Sequence, residues 1–81
     1  MNIFLRKYPL GAEETPGSMI FYSLVFTHDG QMLVHRKKDY DQTYTLPTES
    51  EISSEHFKEY MVEGVPLSKL VMDKLSSILP K

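Results

Sequence analysis

Eleven acidic side chains, nine basic ones and three histidines are the groups from which any chemistry in this 81-residue chain must be built, and there is no cysteine among them. Without thiols there is neither a disulfide nor a thiolate zinc site. His28, His35 and His56 are scattered over segments that read as a hairpin turn, a strand and a helix start. None has a second histidine at the spacing that puts two ligands on one helix face. Asp39 and Asp41 flank Tyr40, and on a strand they would point the same way, as a hard-cation site needs. No oxygen-rich loop with a glycine surrounds them, so they read as solvated turn acids. The glycines at 11, 17, 30 and 64 stand alone, which gives no phosphate cradle. No serine sits on a strand-to-helix elbow. The residues therefore predict no catalytic group, no metal and no cofactor.

Two charge runs remain. His35-Arg36-Lys37-Lys38 is the concentrated positive feature, and Tyr22, Tyr40 and Tyr44 fall on neighbouring segments. Cations beside aromatic rings on a sheet form a platform for single-stranded nucleic acid, which Arg36, Lys37, Lys38, Tyr40 and Tyr44 would supply. A net charge of −2 sets against that reading the absence of any global basic field, and Lys or Arg on a strand also guards a sheet edge. The acidic run is longer, with Glu49, Glu51, Glu55, Glu59 and Glu63 against the single Lys58. On a helix Glu55, Glu59 and Glu63 would line one face at i, i+4 and i+8 and repel one another. Such a face is either solvated or a docking surface for another protein with basic character.

The elements that must position these groups follow from pattern. Residues 19–27, MIFYSLVFT, are rich in β-branched and aromatic types. Asp29-Gly30 then predicts a hairpin into 31–37 through a two-residue turn, or a three-residue loop with a bulge at Gly30 that shifts the register by one. With the two-residue turn, Ile20, Tyr22, Leu24, Phe26 and Leu33 share one face. Met19, Phe21, Val25, Met32 and Val34 share the other. Both faces would be apolar, whereas a sheet covered on one side alternates apolar with polar. The helical hairpin can cover one face, and the other calls for loop 9–18, a crossing of the N-terminal strand or a second copy, the last of which would make a homodimer. Residues 2–8 read as a strand that Pro9 ends, 9–18 as a loop rich in acids and turn residues, and 40–46 as a strand that Pro47 closes. Ser53 fits an N-cap, Phe57, Tyr60 and Met61 a helical stripe, and Gly64 a stop. Pro66 fits the first turn of a last helix with Leu67, Leu70, Val71, Leu75, Ile78 and Leu79 at helical spacing, and Pro80 ends it.

The expectation is one α+β domain over 1–81. It has a small antiparallel sheet of about three strands, in the order β-β-β-α-α, packed against a C-terminal helical hairpin. Strand segments are expected at about 2–8, 19–27, 31–37 and 40–46, and helices at about 54–63 and 66–79. The opening residues carry three consecutive apolar side chains, too few for a membrane span. A cysteine-free chain of this size reads as cytoplasmic.

Residues 23–47, SLVFTHDGQMLVHRKKDYDQTYTLP, resemble the opening hairpin of the Nudix hydrolase family: a strand, an acidic-Gly turn, a strand ending in basic residues and a segment ending in Leu-Pro. The resemblance implies a reduced nucleotide hydrolase or nucleotide binder. The family's magnesium-binding helix would follow Pro47, where this chain has Thr48-Glu49-Ser50-Glu51, without the glycine or the Arg-Glu pair. No catalytic residue carries over. The residues themselves favour a small non-enzymatic module, a regulator or inhibitor that binds a larger cellular protein.

Overall fold

The computed structural model describes residues 4–79. Four strands form one antiparallel meander in the order β1-β2-β3-β4: β1 (Phe4–Thr15), β2 (Ser18–Thr27), β3 (Met32–Tyr40) and β4 (Thr48–Ser53). A 3-10 helix over Ser54–Glu59 follows. A small hairpin of β5 (Met61–Val62) and β6 (Val65–Pro66) leads into the helix α1 (Leu67–Ile78). The molecule is α+β, as expected, with an antiparallel sheet and a C-terminal helix. The sheet has four strands rather than about three, and one α-helix stands where a helical hairpin was expected. Residues 2–3 of the expected first strand, and Pro80 as helix terminator, lie outside the described residues.

The first difference is at Pro9. β1 runs straight through it, because β1 is an edge strand, where a missing N–H is tolerated. The ladder shifts register between Pro9 and Gly11, and the extra residue, Leu10, packs onto the core. Residues 9–15 are therefore strand and not loop. Pro16 and Gly17 make the tight turn that joins β1 to β2.

The β2–β3 turn takes the three-residue form. The Gly30 N–H donates to Thr27 O at 3.1 Å, and the Thr27 N–H donates to Gln31 O at 2.9 Å. Gly30 has φ +87°, a left-handed conformation that only glycine adopts without strain. The Thr27 hydroxyl bonds the Asp29 carboxylate across the turn. This extra residue turns β3 over relative to β2. Leu24 now faces Val34, and Phe26 faces Met32, while Leu33 pairs with Val25 on the opposite side.

That register builds one large apolar cluster on one face. Ile20, Tyr22, Leu24, Val34 and Ile52 from the sheet meet Phe57 of the 3-10 helix, Val62 of β5, and Leu67 and Val71 of α1 in one buried cluster. Tyr8 and Phe26 pack edge to face beside it, with ring centroids 6.1 Å apart. The second face is mixed. Val25 and Leu33 are buried there among Ser23, Thr27 and His35, and Phe21 is exposed. The bulge exchanges Leu33 and Val34 between the faces, but the second face still carries Met19, Phe21, Val25 and Leu33, and Val25 and Leu33 are buried there within the single chain.

Two further expectations change. Residues 41–47 form a loop rather than a strand, since β3 extends through the basic run to Tyr40 and the next strand begins after Pro47. Residues 54–63 do not make an α-helix. Only Phe57 of the 3-10 helix is buried, and Tyr60 already has extended geometry. Val62 must reach back to Gly11, where its Cγ1 lies 3.8 Å from the position of a Cβ. A continuous helix from Ser54 would not present Phe57 and Val62 on one side.

Candidate interaction surfaces

Burial of α1 explains the first candidate surface. Leu67 and Val71 are buried and Leu70, Leu75 and Ile78 are half-buried against the sheet. Met72 belongs to the same apolar stripe but falls past its covered part, and it is 65% exposed. Between this flank of α1, the 3-10 helix and the start of β3 lies a groove of about 430 Å³. Met32, Phe57, Val71, Met72 and Leu75 give it an apolar lining, and Ser54, Glu55, Lys58 and Ser68 supply polar groups. Its size matches sites that hold a small ligand or a few side chains. Methionine adapts its shape to different partners, and two of the five in the chain are here. Every deeply buried side-chain nitrogen or oxygen among the described residues has a hydrogen-bond partner.

The second candidate is the β3–β4 loop. The Asp41 N–H donates to Gly17 O at 3.0 Å, which ties the loop to the β1–β2 turn. The Thr45 N–H donates to Gln42 O at 3.1 Å and closes a turn inside it. From this braced frame Tyr44 and Leu46 project with 81% and 84% of their surfaces exposed.

The charge runs look different once the register is known. Lys37 stands directly opposite Glu49, and His35 opposite Glu51, so basic β3 and acidic β4 are cross-strand partners. His35 Nε2 lies 2.9 Å from Glu49 Oε1, and His35 is buried. Lys37 also lies 4.0 Å from Asp39. Strand alternation sends Arg36 and Lys38 to one face and Lys37 to the other. Arg36 Nε donates to the Tyr22 hydroxyl at 3.5 Å. Lys38 Nζ sits 5.5 Å from the centre of the Tyr40 ring, a cation–π pair. Of the expected nucleic-acid platform, then, Lys38 and Tyr40 meet, Arg36 is held by Tyr22, Lys37 points elsewhere and Tyr44 projects from the loop.

The expected face of Glu55, Glu59 and Glu63 does not form, because no α-helix spans those residues. Glu55 lines the groove. Glu59 and Glu55 flank His56, whose Nδ1 is 2.5 Å from Glu59 Oε2 and whose Nε2 is 3.7 Å from Glu55 Oε1. The hydrogen bond that His56 donates to the Glu59 carboxylate, and then the charges of Glu59 and Glu55, hold the His56 pKa above the ordinary histidine value. Glu63 belongs to the two-residue β5–β6 turn, with φ 50°. Its N–H donates to Glu13 Oε2 at 3.2 Å, and the Tyr22 hydroxyl donates to Glu13 Oε1 at 3.3 Å. Glu13 thus latches the small hairpin to the sheet.

Comparison with protein-family models, with curated proteins and with solved structures finds no match to this chain.

Among the described residues no group of three or more His, Asp or Glu side chains is placed to hold a metal ion, and no helix is long and apolar enough to cross a membrane. The segment after Pro47, where the Nudix resemblance would require a helix, is strand β4. Met72 is the groove residue that the sequence reading did not name. The available signal was the width of the α1 stripe, since Met72 extends it beyond what one sheet face covers.

Proposed function

We propose that this chain is a non-enzymatic protein-interaction module, of the regulator or inhibitor kind, that binds a larger protein through the groove between α1 and the 3-10 helix. The observation that carries the reading is Met72, left 65% exposed at the mouth of a groove lined by Met32, Phe57 and Leu75. Apolar side chains lining a concave surface gain free energy when a partner side chain displaces water from them. Glu55 and Lys58 at the same groove give a partner's polar groups something to pair with. Of the acidic residues singled out in the sequence, Glu55 takes the docking role in this reading, because it lines the groove. Glu59 acts through His56, and Glu63 through the β5–β6 turn.

The test is affinity capture from cell extract with the wild-type chain and the Met72→Lys variant side by side. Captured protein should be lost with Met72→Lys and reduced with Glu55→Lys. Equal capture by wild type and Met72→Lys would place the contact elsewhere.

A further inference from the structure

We infer that the groove is also where a second copy of this chain docks, in a two-fold dimer in which Tyr44 and Leu46 of each copy seat in the groove of the other. The inference rests on the groove being a protein-binding surface and names one occupant for it.

Knob and groove lie at opposite ends of one strand. Met32, which lines the groove, begins β3, and the loop that carries Tyr44 and Leu46 leaves β3 after Tyr40. A strand of nine residues separates its ends by about 27 Å. A chain therefore cannot fill its own groove, whereas a two-fold axis that exchanges the ends of β3 forms both contacts at once. The loop is already braced through Asp41 and Thr45, which lowers the entropy lost when it docks.

Area decides between one contact and two. Tyr44 and Leu46 together offer about 300 Å² of exposed surface, so one knob in one groove buries about 600 Å² over both partners. That is the size of an incidental contact, while the reciprocal pair reaches about 1,200 Å², the lower limit for a specific dimer. Charge agrees with this pairing. Asp41 at the root of the loop and Lys58 at the groove are both exposed, and among the described residues neither forms an ion pair. Docking would set them against each other across the interface. Association by strand addition is disfavoured, because the outer strands carry exposed Lys7, Pro9 and Glu14 on β1 and exposed Glu49 and Glu51 on β4.

Sedimentation velocity of the full chain, from low to high micromolar concentration, tests this. The wild type should move from monomer toward dimer. Tyr44→Ala/Leu46→Ala and Met72→Lys should each weaken dimerisation by about tenfold or more. All these side chains are exposed, so circular dichroism should confirm that both variants stay folded. Mixing the two variants should give a heterodimer tighter than either homodimer, because one intact knob then meets one intact groove. Asp41→Lys and Lys58→Asp should each weaken the dimer, and their combination should restore it. A wild type that stays monomeric, a dimer that survives both variants, or a mixture no tighter than its parts would overturn the inference. The proposed function fails separately. The Tyr44→Ala/Leu46→Ala variant keeps an open groove and should still capture a larger partner, whereas capture that persists with Met72→Lys would remove the groove reading itself.

Discussion

Along β3, the charged side chains and His35 find their partners within the chain. Lys37 faces Glu49, His35 meets Glu49, Arg36 reaches Tyr22, and Tyr22 passes a hydrogen bond on to Glu13. Around α1 and the β3–β4 loop the balance is reversed, and Met72, Tyr44 and Leu46 stand in water without apolar neighbours enough to cover them. The two regions differ in what they ask of a second molecule. A charge run that is neutralised by the adjacent strand carries little information about a partner. An apolar groove beside an adaptable methionine carries more, because water is the poorer neighbour for it.

The comparison breaks first if the groove turns out to be core. Leu24 is fully buried, and Leu24→Ala should cost about 2–5 kcal/mol in urea unfolding. Met72→Lys should change stability by less than about 0.5 kcal/mol. A loss from Met72→Lys comparable to that from Leu24→Ala would mean that the groove is structural. Next in size is the turn that sets the faces. Nothing lies within 4 Å of a Cβ added at Gly30, so Gly30→Ala meets no clash and pays only for φ +87°. Thermal unfolding should register about 1–2 kcal/mol, and an unchanged midpoint would show that another feature holds the register.

Smaller still is the latch at Glu13. Glu13→Ala removes the acceptor for the Glu63 N–H and the Tyr22 hydroxyl, and should cost about 1 kcal/mol. Amide exchange at Glu63 should speed up while exchange at Val34 stays slow. Equal acceleration at both sites would argue for a global effect and against a local latch. The smallest effect is at His56. Its folded pKa is raised above 6.5 by the Glu59 hydrogen bond and the nearby carboxylates. Protonated His56 therefore favours the folded state, a contribution fully present below pH 6.5 and lost as pH rises through the raised value. Solvent screening at this exposed site keeps it small. A histidine NMR titration should give a midpoint above the ordinary one, which Glu59→Gln lowers. A midpoint indifferent to Glu59→Gln would leave the clamp without energetic meaning.

What the sequence made legible were the features written in short-range chemistry. Asp29-Gly30 between two apolar runs announced the β2–β3 hairpin, and Pro66 followed by Leu67, Leu70, Val71 and Leu75 announced α1. The register was not legible, because a two-residue and a three-residue loop both suit Asp29-Gly30, and they assign Leu33 and Val34 to opposite faces. The helix expected over 54–63 failed for a long-range reason. Phe57, Tyr60 and Met61 fit a helical stripe, but Val62 is drawn to Gly11, more than fifty positions earlier in numbering. Pairing between the basic and acidic runs needed the β3–β4 register, and so was hidden while 40–46 was read as the next strand. The groove was half legible in the width of the α1 stripe. Its other wall, the 3-10 helix, was not.

The most direct measurement is the methionine-methyl NMR spectrum of the full chain across a range of concentration. Met32 and Met72 line the groove, and the Tyr44→Ala/Leu46→Ala variant serves as the control. The groove-docked dimer predicts that the Met32 and Met72 signals shift together with concentration in the wild type and stay in place in the variant. Signals that remain fixed at every concentration, or that shift equally in the variant, would contradict it.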